Sequence, residues 1–346
     1  MFEDAKRAVR AWTWQSQPTL TVNEVGLINQ TFVVSLQQRP RAILQRLNTD
    51  IFAPEVHEDI NAVTTCLLSQ GLATPRLLRT SQDNLWHTDP ESGIWRCMTY
   101  EGDRTILKVS CPQDAHSAGK LAARFHSALQ TLNWSFKSVR PGAHDTSAHM
   151  KKLEEAIGKH ANHRLYEVVA PLAQNILQRW NRVPKPPTLP GRVIHGDLKI
   201  SNVRFTKQSA HCLIDLDTTA RDTIDVELGD AMRSWCNPAS EDTIETTFAL
   251  NVFEAAMFGY ASGARERGLS QEEWESIVPA IERISLELAS RFACDALQEC
   301  YFGWNQRFGT RGDHNLLRAT GQLALAESID ALRGEADAIV AQARAS

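Results

Sequence analysis

Val193-Ile194-His195-Gly196-Asp197-Leu198-Lys199-Ile200-Ser201-Asn202 decides how this chain is read, and Ile214-Asp215-Leu216-Asp217 is its companion. An apolar pair leads into a His-Gly-Asp step, an Asn follows, and a later apolar segment ends on Asp. An Asp-rich turn between two short hydrophobic segments is ordinarily a hairpin, because Asp, Asn and Gly supply turn geometry. That explains Gly196 or Asn202 singly. It does not explain the ordered set, in which the apolar run, the His-Gly-Asp step, the Asn and the Asp-terminated strand must all be matched together.

The order His-x-Asp-x-x-x-x-Asn is the catalytic-loop signature of kinases, with a second Asp where a kinase holds magnesium. In that reading Asp197 takes the proton of an acceptor hydroxyl as general base, a task suited to a carboxylate because the alcohol becomes acidic only as its bond to phosphorus forms. Lys199 reaches the γ-phosphate as a compact point charge. Asn202 and Asp215 offer hard oxygen donors suited to Mg²⁺, leaving positions for water and phosphate oxygens. Asp217 reads equally as a further metal ligand, a substrate ligand or a structural acceptor. His195 reads as a packing residue that braces the loop. The absence of Asp-Phe-Gly and Ala-Pro-Glu argues against a protein kinase.

Further segments carry a family resemblance. Gly26-Leu27-Ile28-Asn29-Gln30-Thr31-Phe32, Ile43-Leu44-Gln45-Arg46-Leu47-Asn48-Thr49 and the two stretches above stand in order. They continue in Thr218, Gly229-Asp230, Arg291-Phe292 and Tyr301-Phe302. The chain resembles the phosphotransferase family of aminoglycoside and choline kinases, and within it the N-acetylhexosamine 1-kinases. The resemblance implies an α+β, bilobal, protein-kinase-like fold with a small antiparallel-sheet N-lobe and a larger, mainly helical C-lobe. Residues 1–100 would form the nucleotide-binding lobe and 101–346 the catalytic and substrate-binding lobe, the boundary falling near Tyr100-Glu101-Gly102.

It also assigns roles. Backbone N–H groups around Ile28, Asn29 and Gln30, after the lone Gly26, would meet the ATP phosphates. Gln45 would stand where a kinase usually presents a lysine, with Glu58 on the next helix as its partner. Thr99 and Tyr100, within Met98-Thr99-Tyr100-Glu101, would offer backbone groups to adenine. Thr218, Arg291 and Tyr301 would contact the sugar, with Asp197 on its anomeric hydroxyl. Asp230 would brace the catalytic loop. The expected protein is therefore an ATP- and Mg²⁺-dependent sugar 1-kinase working by direct transfer. Kinases of aminoglycosides, choline or other amino alcohols are the alternatives, with Glu272, Glu273, Glu275, Asp295 and Glu299 as the acidic residues a cationic acceptor would want. A noncatalytic nucleotide-binding module would be expected to lack the base or the metal ligands, and Asp197, Asn202 and Asp215 are all present.

Composition sets outer bounds. The chain has 346 residues, 42% hydrophobic and 23% charged, with a formal net charge of -4. That length suits two lobes. No basic footprint points to nucleic acid, and nothing favours an anionic membrane. The charged N-terminus lacks the apolar segment of a secretory signal, so a cytoplasmic protein is expected. Seven cysteines without a Cys-x-x-Cys pair read as buried, reduced thiols.

Hydrophobic patterning predicts strands at 20–25, 31–36 and 41–47, and a helix opened by Pro54 and stopped by Gly71. It also predicts strand segments at Leu77-Leu78 and 95–98 around a hairpin turn at 86–93. Helices are expected over 115–132, 150–180, 243–264, 271–300 and 315–343. The run Val183-Pro184-Lys185-Pro186-Pro187-Thr188-Leu189-Pro190 breaks the chain just before the signature.

Overall fold

The computed structural model describes residues 2–23, 28–139, 142–207, 209–239, 241–264 and 268–346, so the turn expected at Gly26 lies outside them. In chain order come helix α1 (Phe2–Ala8), strands β1 (Thr19–Asn23), β2 (Gln30–Leu36) and β3 (Arg39–Arg46), then helix α2 (Val56–Ser69). Strands β4 (His87–Asp89), β5 (Gly93–Thr99) and β6 (Arg104–Thr105) precede helices α3 (Pro112–Leu129), α4 (Thr146–Lys159) and α5 (Tyr166–Trp180). Strands β7 (Arg192–Ile194), β8 (Val203–Thr206), β9 (Ser209–Leu213) and β10 (Ala220–Asp222) surround the signature. Helices α6 (Ile224–Trp235), α7 (Leu250–Ala264), α8 (Gln271–Glu275), α9 (Ile277–Gln298), α10 (Arg311–Ala331) and α11 (Arg333–Ala345) complete the chain.

Two compact units result. One takes in Met1–Thr105, Ala128–Val139 and Asn202–Ala220; the other takes in Ile106–Ser127, Arg140–Ser201 and Arg221–Ser346. In the first, five antiparallel strands run in the order β1-β2-β3-β5-β4, and a second sheet has the order β6-β8-β9. The register sets Gln45 opposite Thr31 on β2 and Arg96 on β5. Helix α1, missing from the sequence reading, buries Ala5 and Ala8 together with Val9 and Trp12 against Phe32, Val34, Leu44 and Trp95. Seven residues with alanine as the buried surface carry too little apolar signal to announce a helix. Leu77-Leu78 contributes a single bridge, Leu77 to Met98, rather than a strand.

The second unit is built around α9. Its Leu286, Ala289, Phe292, Ala293 and Ala296 share a core with Leu153 of α4, Ala173 and Ile176 of α5 and Leu323 of α10. Several expected helices divide. The 150–180 helix is interrupted between α4 and α5, and the 271–300 segment becomes α8 and α9. The 315–343 segment becomes α10 and α11 and starts earlier, because Thr310 and Asp313 form a capping box that fixes Arg311 as its first residue.

Helices α3 and α7 meet at van der Waals contact of their backbones. A Cβ on Gly119 would lie 2.2 Å from Ala256 O, one on Gly259 2.0 Å from His116 O, and one on Gly263 2.4 Å from Lys120 O. Only glycine permits that approach. All seven cysteines are free; Cys97, Cys212 and Cys236 are buried, whereas Cys66 and Cys294 are half-buried and Cys111 and Cys300 exposed, so the buried thiols are fewer than expected. Among the described residues no helix is long and apolar enough to cross a membrane.

Candidate active site

The signature loop is held from beneath by a carboxylate. Strand β7 delivers His195, fully buried, whose Nδ1 accepts from the Asp197 N–H (3.3 Å). Glu227, on α6, accepts from the backbone N–H of His195 (2.8 Å) and of Gly196 (2.9 Å). His126 on α3 donates from Nε2 to Glu227 Oε1 (3.1 Å), and its Nδ1 lies 2.9 Å from the Tyr260 hydroxyl of α7. Burial alone would push the Glu227 carboxyl up. The bond from His126, the neighbouring His126 and His195 rings and the Gly196 N–H outweigh it and hold the group below its ordinary range, so it stays an acceptor. Trp235 Nε1 ties down the next residue through Leu198 O (2.7 Å).

Sequence reasoning looked to Asp230 for this bracing. Asp230 instead pairs with Arg233 (2.8 Å), one turn further along α6. The signal for Glu227 was a carboxylate set among Val226, Leu228 and Ala231 just after the signature, where an unpaired Glu would be costly to bury. His195 does brace the loop.

Asp197 and Lys199 sit on the partly exposed side of this loop and form an ion pair, Nζ to Oδ2 2.7 Å. Around them in the same unit lies a chain of charges. Burial pushes the Asp230 carboxyl up, but Arg233, His144 and Lys199 bring it below its usual range. Burial pushes His144 down, but the buried Glu287, reached at 3.2 Å, holds its pKa raised. Glu287 also accepts from Thr146 Oγ1 (2.6 Å) and faces Arg291 Nη1 at 3.9 Å.

Arg291 and Tyr301 are brought together by one ring. The Arg291 guanidinium lies 5.6 Å from the Phe302 centroid, and Tyr301 meets the same ring edge-on at 4.8 Å, its own side chain 62% exposed. The loop carrying them is held by buried Asp295, which accepts from the N–H groups of Cys300 (2.9 Å), Tyr301 (2.8 Å) and Phe302 (2.9 Å). Three of the five acidic residues expected for a cationic acceptor are engaged elsewhere. Asp295 holds that loop, Glu273 closes the α8 capping box and pairs with Arg192, and Glu299 pairs with His163 and Arg164.

In the sheet-bearing unit, the Ile214 N–H donates to Asn202 O (2.9 Å), so the chain on either side of the β8–β9 hairpin sets Asn202 beside the Asp215 segment. Asp215 adopts φ 64 and ψ 52, left-handed geometry that Asp tolerates better than most residues. The Asn202 amide oxygen and the Asp215 carboxylate are hard donors that fit Mg²⁺. No group of three or more His, Cys, Asp or Glu able to hold a metal occurs among the described residues, so water and phosphate oxygens would complete the shell.

Asp217 acts as a structural acceptor. Both its oxygens are taken by buried Arg96, Nη1 to Oδ1 2.5 Å and Nη2 to Oδ2 2.7 Å. Thr218 closes the same 3₁₀ turn. Gln45 accepts from Arg96 Nε (2.9 Å) and donates to Thr31 Oγ1 (3.0 Å). Arg96 is the residue the sequence reading missed, since its partner lies 121 positions away. Glu58 is not the partner of Gln45: it pairs with Lys137, while its neighbours His57 and Asp59 are buried.

The nucleotide-facing expectations divide. Ile28 is exposed, whereas buried Asn29 accepts from the Asn48 N–H (2.9 Å). Gln30 opens β2 with its Oε1 buried and unpartnered. The Thr99 N–H donates to Arg76 O and the Tyr100 N–H to Arg41 O, so adenine would have to use other groups of that segment. Arg204 covers the Tyr100 ring at 5.2 Å.

Solved structures share the fold. An aminoglycoside phosphotransferase from Alicyclobacillus acidocaldarius superposes with TM-score 0.65 at 14% identity, covering 96% of each chain. A choline/ethanolamine kinase family protein from Mesorhizobium loti gives 0.59 at 15% over 100% of each. A microcompartment-associated aminopropanol kinase gives 0.62 at 16%, over 98% of this chain and 99% of that one. A homoserine kinase from Bradyrhizobium sp. is 36% identical over 88 residues, only 25% of this chain and 24% of that enzyme's length. The fold is protein-kinase-like, and the profile of the phosphotransferase enzyme family matches residues 19–264. The chain belongs to that family.

Proposed function

We propose that the protein transfers the γ-phosphoryl group of ATP to the anomeric hydroxyl of an N-acetylhexosamine. The supporting observation is the charge balance around Arg291. Asp230 is matched by Arg233, and Glu287 by His144, Thr146 and Arg291, so the carboxylates there already have cationic or hydrogen-bonding partners. An ammonium acceptor would need a carboxylate to itself, whereas hydroxyl and acetamido groups need directed donors, and a guanidinium supplies them.

In the proposed reaction Asp197 orients the acceptor hydroxyl and takes its proton as the oxygen–phosphorus bond forms, while ADP leaves. Lys199 holds the base carboxylate and lends positive charge beside it. Asn202 and Asp215 would hold Mg²⁺, which when bound would neutralise phosphate charge. Arg291, Tyr301 and Thr218 would position the sugar. Positioning and electrostatics supply the acceleration, with no covalent enzyme intermediate.

A second reading is favoured by the comparisons. Named relatives act on choline or ethanolamine, aminopropanol and homoserine, all small alcohols bearing nitrogen. Phosphorus NMR of the enzyme with Mg-ATP and a panel of N-acetylglucosamine, N-acetylgalactosamine, plain hexoses, homoserine, aminopropanol, choline and kanamycin separates the two. An anomeric sugar phosphate absent with Asp197→Asn supports the first reading. Phosphorylation of an amino alcohol alone replaces the acceptor and keeps the base.

A further inference from the structure

We propose that the Arg96–Asp217 pair takes the place, in this chain, of the lysine–glutamate pair that orders the nucleotide half of kinases, making Arg96 the positioning residue for the Asp215 turn and for Gln45. The proposal rests on the kinase reading above. In protein kinases a lysine of the third strand pairs with a glutamate of the following helix, and this pair and the metal-binding Asp must both be in place. Here neither half stands at its usual position. Strand β3 carries uncharged Gln45, and Glu58 spends its charge on Lys137.

Helix α2 buries His57, whose Nδ1 donates to Pro54 O (2.6 Å) and whose ring stacks on Trp86 with centroids 5.2 Å apart, and Asp59, which accepts from Trp134 Nε1 (2.8 Å) and from the Lys137 and Ser138 N–H groups. The first carries no negative charge, and the second is committed to the 134–138 segment. What the unit holds instead is a guanidinium on the neighbouring strand, 1% exposed and directly opposite Gln45 in the β3–β5 register.

Three of its N–H groups are spent on two targets. Nε goes to Gln45, while Nη1 and Nη2 grip Asp217 as a fork. A buried ion pair survives its desolvation cost only when the geometry is well matched, and a two-point guanidinium–carboxylate fork is that case. Asp217 lies two residues after Asp215. A non-glycine residue at φ 64 stays there only if its surroundings over-determine it, and the fork pins the turn that follows. The bond from Nε also fixes which way the Gln45 amide points, leaving Nε2 toward Thr31 Oγ1. One cation thereby links β2, β3 and the metal-binding turn.

Calorimetric titration of ATP in the presence of EDTA and then of Mg²⁺ tests this without any acceptor, alongside kcat and KM for ATP. Arg96→Met and Arg96→Lys should keep metal-free affinity within about threefold but lose about tenfold to a hundredfold of the gain that Mg²⁺ confers, since charge-assisted bonds are worth that much. Adding Gln45→Lys to Arg96→Met should recover about tenfold of it, by returning a cation to the usual strand. Should Arg96→Met fail to fold, Asp217→Asn, which keeps shape and removes the charge, is expected to show the same Mg²⁺-specific loss. Equal losses with and without Mg²⁺, or no recovery with Gln45→Lys, would mean a purely structural arginine and overturn the proposal. A wild-type protein that binds no nucleotide would instead overturn the kinase reading.

Discussion

In the helical unit a carboxylate reaches main-chain N–H groups, whereas in the sheet-bearing unit a guanidinium reaches a carboxylate side chain. Glu227 holds the Asp197 loop through the backbone of His195 and Gly196. Arg96 holds the Asp215 turn through Asp217. Backbone capture does not depend on which side chains the loop carries, so the loop can change residues and keep its course. The fork depends on both partners and fails if either is altered. The two halves also carry histidines of opposite habit. Burial and the nearby Arg96 depress His57 to about 4, while Glu287 overcomes burial to raise His144.

The hardest way to break the first half is Glu227→Ala. It leaves two buried N–H groups and His126 without their acceptor, and should cost about 3–5 kcal/mol in urea unfolding, with kcat falling as the loop loosens. Equal stability with the wild type would show that the loop is held by its flanks alone.

Acidification probes the second half. Unfolded His57 takes up a proton below its ordinary pKa of 6.5, but the folded ring resists until about 4. The unfolded state therefore binds more protons across that window, and stability present above it is lost as pH falls, by up to about 3 kcal/mol. His57→Gln should flatten this limb in urea titrations between those pH values. His144 acts with the opposite sign: its raised pKa stabilises the fold at lower pH, and that contribution fades as pH rises above 6.5 through the folded value. His144→Gln should remove that fade and leave the acid limb intact.

Gly259→Ala tests whether the Glu227 support depends on its scaffold. The added methyl meets His116 O on α3, the helix that also carries His126, so the helices must part, at about 2 kcal/mol. A thermal scan should show the loss, and kcat should fall along with it. The smallest effect is expected from Arg291→Ala, which should raise acceptor KM about tenfold, or about 1.4 kcal/mol, and leave KM for ATP unchanged. A change confined to ATP would remove Arg291 from the acceptor side.

Local order in the chain made part of this legible. The signature, the hairpins and the Pro54-led helix are all written in adjacent residues, and the α+β class follows from them. The Arg96–Asp217 fork is not, because strand pairing rather than spacing brings those residues together. Glu58 turns to Lys137 while its neighbour His57 is buried, because one step along a helix turns a side chain by about 100°; single-residue phase is the least certain part of a periodicity. Asp230 stands out in the sequence because a Gly-Asp step resembles a bracing motif, while Glu227, inside an apolar helix face, is recognised only once its partners are known.

Asp295 bears on how such an enzyme could acquire a new preference. It sits on α9 and dictates the path of residues 300–302 from outside the segment, through three main-chain bonds. The segment need not encode its own conformation. Tyr301 and its neighbours can therefore drift, or be randomised in a library, without re-solving the loop, provided the one carboxylate is left alone. If Tyr301 contacts the acceptor as proposed, selectivity and architecture would be written in different residues, and the first could evolve while the second stood still.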